Sequence, residues 1–446
     1  MNSPAHSQFD QLLALPITGE SFLLRRRGHT VLVDGGWKQD KIVQALVPHF
    51  PVSKTLDIVV RTHGDGDHAG GLVDLLKLWP GKIGQLWLPG RWVDVVPEVL
   101  RDPKGFVDGL IKELDALAIE DFTDGVGERN AVELAAAMDE RVISERDAVA
   151  DRPADAQSTD PAAPGDGMEL AADVDIDHDD PVDLGGTEPV NEPKWFDDLR
   201  RAAGDLVSSE RASHAFKSGR RRIRSRGSKG EIGGAVEAFW LDVIDTAEAI
   251  RGIAEAAIQR RLRIRWFDFD AFSLTRRPAG GVRKFLEPMN AIEQAPPPLK
   301  VSYLARLSPI NKASLIFLAP PPYHRLGVLF CADSPLGDGQ KQSQSFLCAD
   351  LRPRWPIVAT APHHGAETNR AAYGHMCAWA DIIVLLRARG DRDQPGPTFK
   401  SLSRPFKVCA TCPQSGRRPV LAGVAATGHW PWFAPVVVMG QPCVCA

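Results

Sequence analysis

Hydrophobic and polar positions follow two different rhythms along this chain. Up to about residue 100, and again from residue 262, short runs of Leu, Val and Ile are cut by Gly, Asp and Thr. Thr55–Val60 reads as a buried strand, Leu72–Trp79 as the helix after it, and Leu262–Phe269 as a return to strand. Between these regions the apolar residues recur at three- and four-residue steps among Ala, Glu and Arg. That spacing predicts helices over Lys104–Leu117, Glu128–Val149, Trp195–Lys217 and Glu231–Arg261, with no internal repeat. Ala150–Pro193 breaks the rhythm: Asp, Pro, Ala and Gly dominate and aromatic residues are absent, which predicts a disordered acidic linker.

Composition narrows the class only a little. The chain has 446 residues, 43% of them apolar, enough for two domains or for one domain with a large insertion, and the motifs below favour the second. A formal charge of -4 leaves any polyanion binding to local patches. No apolar run approaches the length of a membrane span, and Met1–Asp10 lacks the regions of a secretion signal, so the expected site is the cytoplasm, away from membranes. Seven cysteines in so long a chain fit reduced thiols better than a disulfide framework.

The densest chemistry lies in Arg61-Thr62-His63-Gly64-Asp65-Gly66-Asp67-His68-Ala69-Gly70-Gly71, between a predicted strand and a predicted helix. Ligand sites of α/β folds collect at such carboxyl ends of strands. Two carboxylates two residues apart repel unless a cation lies between them, and two imidazoles add ligands for it. A polar turn in which Asp67 caps the helix is the plainer alternative, but a cap needs one acceptor and the loop supplies four candidate ligands, His63, Asp65, Asp67 and His68.

The pattern His-x-Asp-x-Asp-His-x-Gly-Gly resembles the signature of the metallo-β-lactamase superfamily, in the variant of the soluble domain of competence DNA-uptake proteins. Leu15–Leu24 followed by Thr30–Gly36 looks like that family's opening hairpin; Asn311–Phe317 and Gly327–Asp333 look like its later paired strands, and Pro362-His363-His364-Gly365 like its His-His-Gly. The resemblance covers roughly 15–100 and 262–405, four motifs in order. It implies an αββα sandwich in two halves, 10–100 and 262–408, around a helical, partly disordered insertion over 101–261, with a Cys-containing tail over 409–446. It further implies two divalent metal ions, Zn or Mn, one held by His63 and Asp65, the other by Asp67 and His68, with Asp333 bridging, His364 as a ligand and His363 touching a substrate phosphate. Asp67 would orient the water between the ions that acts as nucleophile. Cys331-Ala332 stand where relatives carry Thr-Gly, the third His of many relatives has no counterpart, and Gln394 occupies a family His position.

Two further features stand apart. Cys409-x-x-Cys412 with Cys443-x-Cys445 has the makings of a structural zinc site, or of ordinary thiols in a flexible tail. Lys217–Lys229 holds seven basic residues in thirteen, which could ride on nucleic-acid phosphates; the absence of interleaved aromatics favours a solvated, flexible turn instead. The resemblance to the competence-type domain implies metal-dependent hydrolysis of phosphodiesters by a phosphodiesterase or nuclease. An esterase or lactonase of the same fold, and a degenerate binding module whose helical insertion recruits a protein partner, are the alternatives.

Overall fold

The computed structural model describes residues 10–123, 182–184, 194–201, 206–295, 306–307, 311–321, 326–388, 394–412, 416–417, 419–424, 436–439 and 443. Its strands are β1 (Gln11–Ala14), β2 (Phe22–Arg26), β3 (His29–Val33), β4 (Leu56–Val60), β5 (Ile83–Pro89), β6 (Arg263–Asp268), β7 (Glu287–Pro288), β8 (Ile292–Glu293), β9 (Phe317–Ala319), β10 (Gly327–Phe330), β11 (Ile357–Thr360), β12 (Ile382–Arg387), β13 (Phe406–Cys409), the short pair β14 (Thr411–Cys412) and β15 (Gly416–Arg417), β16 (Val420–Val424) and β17 (Val436–Met439). The helices are α1 (Ile42–Leu46), α2 (Gly66–Leu78), α3 (Val95–Arg101), α4 (Pro103–Thr123), α5 (Lys194–Arg201), α6 (Ser209–Ser228), α7 (Gly234–Arg260), α8 (Phe269–Thr275), α9 (Arg370–Trp379) and α10 (Pro397–Ser401).

Two sheets face each other, one in the order β17-β16-β1-β2-β3-β4-β5-β6-β8 and one in the order β13-β12-β11-β10-β9-β7. Alternation along the strands explains the layering: Leu12, Phe22, Leu24, Val31, Ile58 and Val60 point into the space between the sheets, where they meet Phe317, Val328, Phe330 and Val358. Leu13, Leu23, Leu32 and Val59 point the other way, under α2, α3 and α7. A third apolar layer, including Leu329, Ala359, Met376 and Phe399, covers the far side of the second sheet with α9 and α10. Strands buried on both faces must be apolar throughout, which is why these runs read as continuous rather than alternating. The architecture is the α/β sandwich expected, helix layers outside two mixed sheets.

The insertion is the crossover between neighbouring strands. β5 and β6 pair in parallel, so the chain between them must travel back along the sheet, and it does so through α3 to α7. Apolar residues of α7, including Trp240, Ile244, Ala247 and Ile250, join the layer over the first sheet, so the inserted helices are part of the core.

Three sequence expectations change. The basic run over Lys217–Lys229 is not a flexible turn: α6 continues through Ser228, started by the Ser208 hydroxyl accepting from Arg211 N and anchored by Phe216, Gly219 and Ile223. Its positive charge is met by acidic residues of the adjacent helices, Arg220 with Asp245 and Glu248, Arg222 with Asp108, and Arg226 with Asp115. Residues 409–446 are not simply a tail, because β16 pairs with β1 in antiparallel register and puts Val420 and Ala422 between the sheets. Within the acidic stretch, 182–184 lies on the protein: Val182 and Leu184 pack on the inter-sheet core, and Gln85 Nε2 donates to Leu184 O at 2.7 Å. The rest of that stretch, like the helix expected over 128–149, lies outside the described residues.

Candidate metal centre

Every group of this centre comes from the carboxyl end of a strand or a turn beside one. β4 ends in Arg61-Thr62-His63 and leads to Asp65, the residue before α2, with Asp67 and His68 in the first turn. The Asp65 carboxylate is not spent on capping: it occupies the N-cap position with no side-chain cap bond. β10 ends before Cys331-Ala332-Asp333, and β11 before His363 and His364. Both histidines have left-handed backbone, φ 47° and 54°, a costly conformation for two successive side-chain-bearing residues. It turns both rings towards Asp333.

The geometry divides into two sets that share Asp333. In the first, His63 Nε2 is 3.5 Å from Asp65 Oδ2 and 3.5 Å from Asp333 Oδ2, and His363 Nε2 is 3.6 Å from that same oxygen. In the second, His68 Nε2 is 3.2 Å and His364 Nε2 3.4 Å from Asp333 Oδ1; the two nitrogens are 3.3 Å apart, and Asp67 Oδ2 is 3.0 Å from His364 Nε2. Two ligands on a tetrahedral ion at about 2.0–2.1 Å are separated by roughly 3.3 Å. Spacings from 3.0 to 3.6 Å are thus those of donor atoms around an ion. The atoms also lack other employment: His63 Nε2, Asp65 Oδ1 and Asp333 Oδ1 are buried without a well-formed hydrogen bond. Close in distance but poorly aligned with one another, they fit a pair of divalent cations.

Electrostatics supports the same reading. Burial alone would push the imidazoles of His68 and His364 towards the neutral form, yet the carboxylates outweigh it: Asp333 chiefly, with Asp67 and Asp34, holds His68 well above its ordinary range, and Asp333, Asp67 and Glu20 raise His364 to about 9. Burial would raise Asp333, but the facing histidines hold it well below the usual carboxylate range. So much buried negative charge calls for cations, and without metal the histidines' protons answer it.

A surrounding layer fixes these groups. His68 Nδ1 is 2.8 Å from Asp34 Oδ2, and Asp34 also accepts from Thr62 N and Thr62 Oγ1. Glu20 Oε2 lies 3.1 Å from His364 Nδ1, the nitrogen opposite the one facing Asp333. Imidazole ligands are commonly held by a carboxylate in this way. Arg61, fully buried against the Trp92 ring, donates to Asp65 O. From the insertion, Thr246 Oγ1 donates to Gly64 O, and Asp242, on the same helix one turn earlier, is pushed up to about 8 by burial and by Asp65. Sequence reading missed Glu20, Arg61 and Asp242. Arg61 carried a signal, a cation directly after an apolar strand; Glu20 and Asp242 reach the loop only through the fold.

The remaining expected residues lie elsewhere. Cys409 and Cys443 are buried, and the Cys443 amide donates to Lys407 O, two residues before Cys409; the side chain of Cys412 and all of Cys445 lie outside the described residues. Gln394 belongs to a loop held to the His-His-Gly turn, with Gly396 N donating to Gly365 O. Among the described residues no helix is long and apolar enough to cross a membrane.

Residues 16–88 match the family model of the metallo-beta-lactamase superfamily. That span holds Glu20, Asp34 and the whole His63–His68 loop, while Asp333, His363 and His364 lie beyond it. No curated protein matches the chain. The superfamily consists generally of hydrolytic enzymes that bind divalent metals such as zinc. Residues 16–88 therefore carry a metallo-β-lactamase superfamily domain, and with it the implication of a metal-dependent hydrolase.

Proposed function

We propose that this protein hydrolyses phosphodiesters at a two-cation centre, as a phosphodiesterase or nuclease. The observation that carries the reading is the division of Asp333, whose Oδ2 faces His63 and His363 while its Oδ1 faces His68 and His364. Asp333 would thereby contribute one oxygen to each of two ligand sets. Asp65, His63 and His363 would complete the first set, and Asp67, His68 and His364 the second. Bound there, two divalent ions would supply positive charge for activating a water and for both the attacking and leaving oxygens of an in-line displacement.

The chain's own groups do the positioning. Asp34 and Glu20 hold His68 and His364 by their Nδ1 atoms, leaving each Nε2 directed at Asp333. Asp67 stands in the first turn of α2, where the helix N-terminus favours its negative charge. His363, with about a quarter of its side chain exposed, is the ring of the centre nearest solvent and stands between Asp333 and an approaching substrate.

The test is a side-by-side assay of single- and double-stranded DNA, RNA, a small chromogenic diester and a lactone, with Mn and with Zn. Turnover of the diesters is expected. Turnover of the lactone alone would move the protein to esterase chemistry, and silence on all substrates with two ions bound would point to a binding module.

A further inference from the structure

Four histidines surround Asp333, and the partner of each ring's Nδ1 separates one of them from the rest. A neutral imidazole carries a single proton. An Nδ1 that donates leaves Nε2 with a bare lone pair, and an Nδ1 that accepts forces the proton onto Nε2. At His68 the Nδ1 faces Asp34 Oδ2 at 2.8 Å, and at His364 it faces Glu20 Oε2 at 3.1 Å. Carboxylates accept, so both rings donate there. At His63 the neighbour is Thr62 Oγ1 at 3.0 Å; that hydroxyl already gives its one proton to Asp34 Oδ2 at 2.7 Å, so it too accepts. All three rings therefore turn a bare Nε2 towards Asp333, as metal ligands must.

His363 is held the other way round. Its Nδ1 is approached by Asn311 Nδ2 at 3.5 Å and by Thr368 Oγ1 at 3.3 Å, neither of them a carboxylate. An amide nitrogen donates, so this Nδ1 accepts and the ring's proton lies on Nε2, the nitrogen 3.6 Å from Asp333 Oδ2. The fold ties both partners to the centre. Asn311 opens the turn before β9, where Leu315 N donates to Thr62 O, and Thr368 lies just past the His-His-Gly turn, next to Asn369, whose amide donates to Asp333 O. The His363 side chain is also 23% exposed, against 4% for His63 and none for His68 and His364.

We propose that His363 is a substrate-facing hydrogen-bond donor and not a metal ligand, with Asn311 and Thr368 as the positioning residues that set its tautomer. The assignment rests on the phosphodiester reading above: the Nε2–H would donate to a non-bridging phosphoryl oxygen as negative charge gathers there. His363 then belongs to the first set by position and not by coordination. His63, Asp65 and Asp333 remain as the protein ligands on that side, and three protein ligands with an open position are the usual arrangement of a catalytic metal.

The test uses the full-length protein loaded with Mn and bis(p-nitrophenyl) phosphate as the diester, reading ion content and turnover on the same samples. His363→Ala should keep the wild-type number of ions while kcat falls by about 100- to 1000-fold, the usual loss for one donor to a developing oxyanion, with little change in KM. His364→Ala, by contrast, should lose an ion. His363→Gln, whose amide restores an N–H, should recover part of the rate. Asn311→Asp puts an acceptor at Nδ1, which moves the ring's proton there and strips the donor from Nε2; it should lower kcat nearly as far as His363→Ala, with ion content and melting temperature unchanged. Loss of an ion in His363→Ala would make the ring a ligand and overturn the proposal, as would full turnover by that variant. A wild-type rate in Asn311→Asp would overturn the tautomer assignment. If the wild type holds two ions and hydrolyses no diester, the phosphodiester reading itself falls, while the ion count of His363→Ala still decides whether the ring is a ligand.

Discussion

Asp34 shows at the residue scale how much of this centre depends on groups that would touch no metal. Its carboxylate meets His68 Nδ1 and two donors of Thr62, so it fixes the ring's tautomer and direction together. Asp34→Asn keeps the shape but loses the charge opposite the imidazole. Metal affinity should fall by about 10- to 100-fold, the usual cost of losing such support, with little change in melting temperature; competition with a chelator measures it. Unchanged affinity would mean that His68 is held by packing alone. A second residue-scale expectation concerns pH. His364 has its pKa raised from 6.5 to about 9 in the folded, metal-free protein. Its proton thus contributes stability that is fully present below about pH 6.5 and is lost as pH rises through about 9. Chelated protein should therefore lose melting temperature between pH 6.5 and 9, whereas loaded protein, in which the ring must already be deprotonated to bind, should not. A flat profile without metal would show that the carboxylates do not act on His364 as the geometry requires.

At the scale of elements, α2 is held between the Asp34–Gly36 turn and the inserted helix α7. Gly35 N donates to His68 O, Gly71 N donates to Gly36 O, and a Cβ on Gly71 would stand 2.1 Å from Gly35 O. On the far side Val73 meets Gly252, and Arg260 caps the end of α2 by donating to Leu76 O and Trp79 O. Gly71→Ala sets two effects against each other. Helix propensity favours alanine by about 1 kcal/mol, but the contact is backbone on backbone and can be relieved only by moving the helix that carries Asp67 and His68. The clash should win, lowering both melting temperature and metal content. A stabilised variant with full metal would show that α2 can shift without cost. Gly252→Ala is milder, because the atom it meets, Val73 Cγ1 at 2.9 Å, is the end of a side chain.

Over the whole molecule, what could be read from sequence was what is local. His63, Asp65, Asp67 and His68 crowd into six residues after an apolar strand, so their chemistry is visible without a fold. Asp333 and the two histidines could be anticipated only from the order of motifs, and the fold brings His364 to His68 across 296 positions. Glu20 and Asp242 had no local mark at all, one lying in the turn before β2 and the other on a long amphipathic helix. Helical spacing revealed the insertion, yet the run of arginines in α6 hid a helix, because its acidic partners sit on α4 and α7 and cannot be seen from the run itself. In the last forty residues the cysteines stand out more than Val420–Val424 and Val436–Met439, two short apolar runs that extend the first sheet beside β1. The most direct measurement of the account is the number of ions per chain after saturation with Mn or Zn and removal of excess, for the wild type and for Asp67→Ala of confirmed fold. Two ions in the wild type and no more than one in the variant are predicted; a wild type that holds one ion or none, or a variant that still holds two, would contradict a paired centre bridged by Asp333.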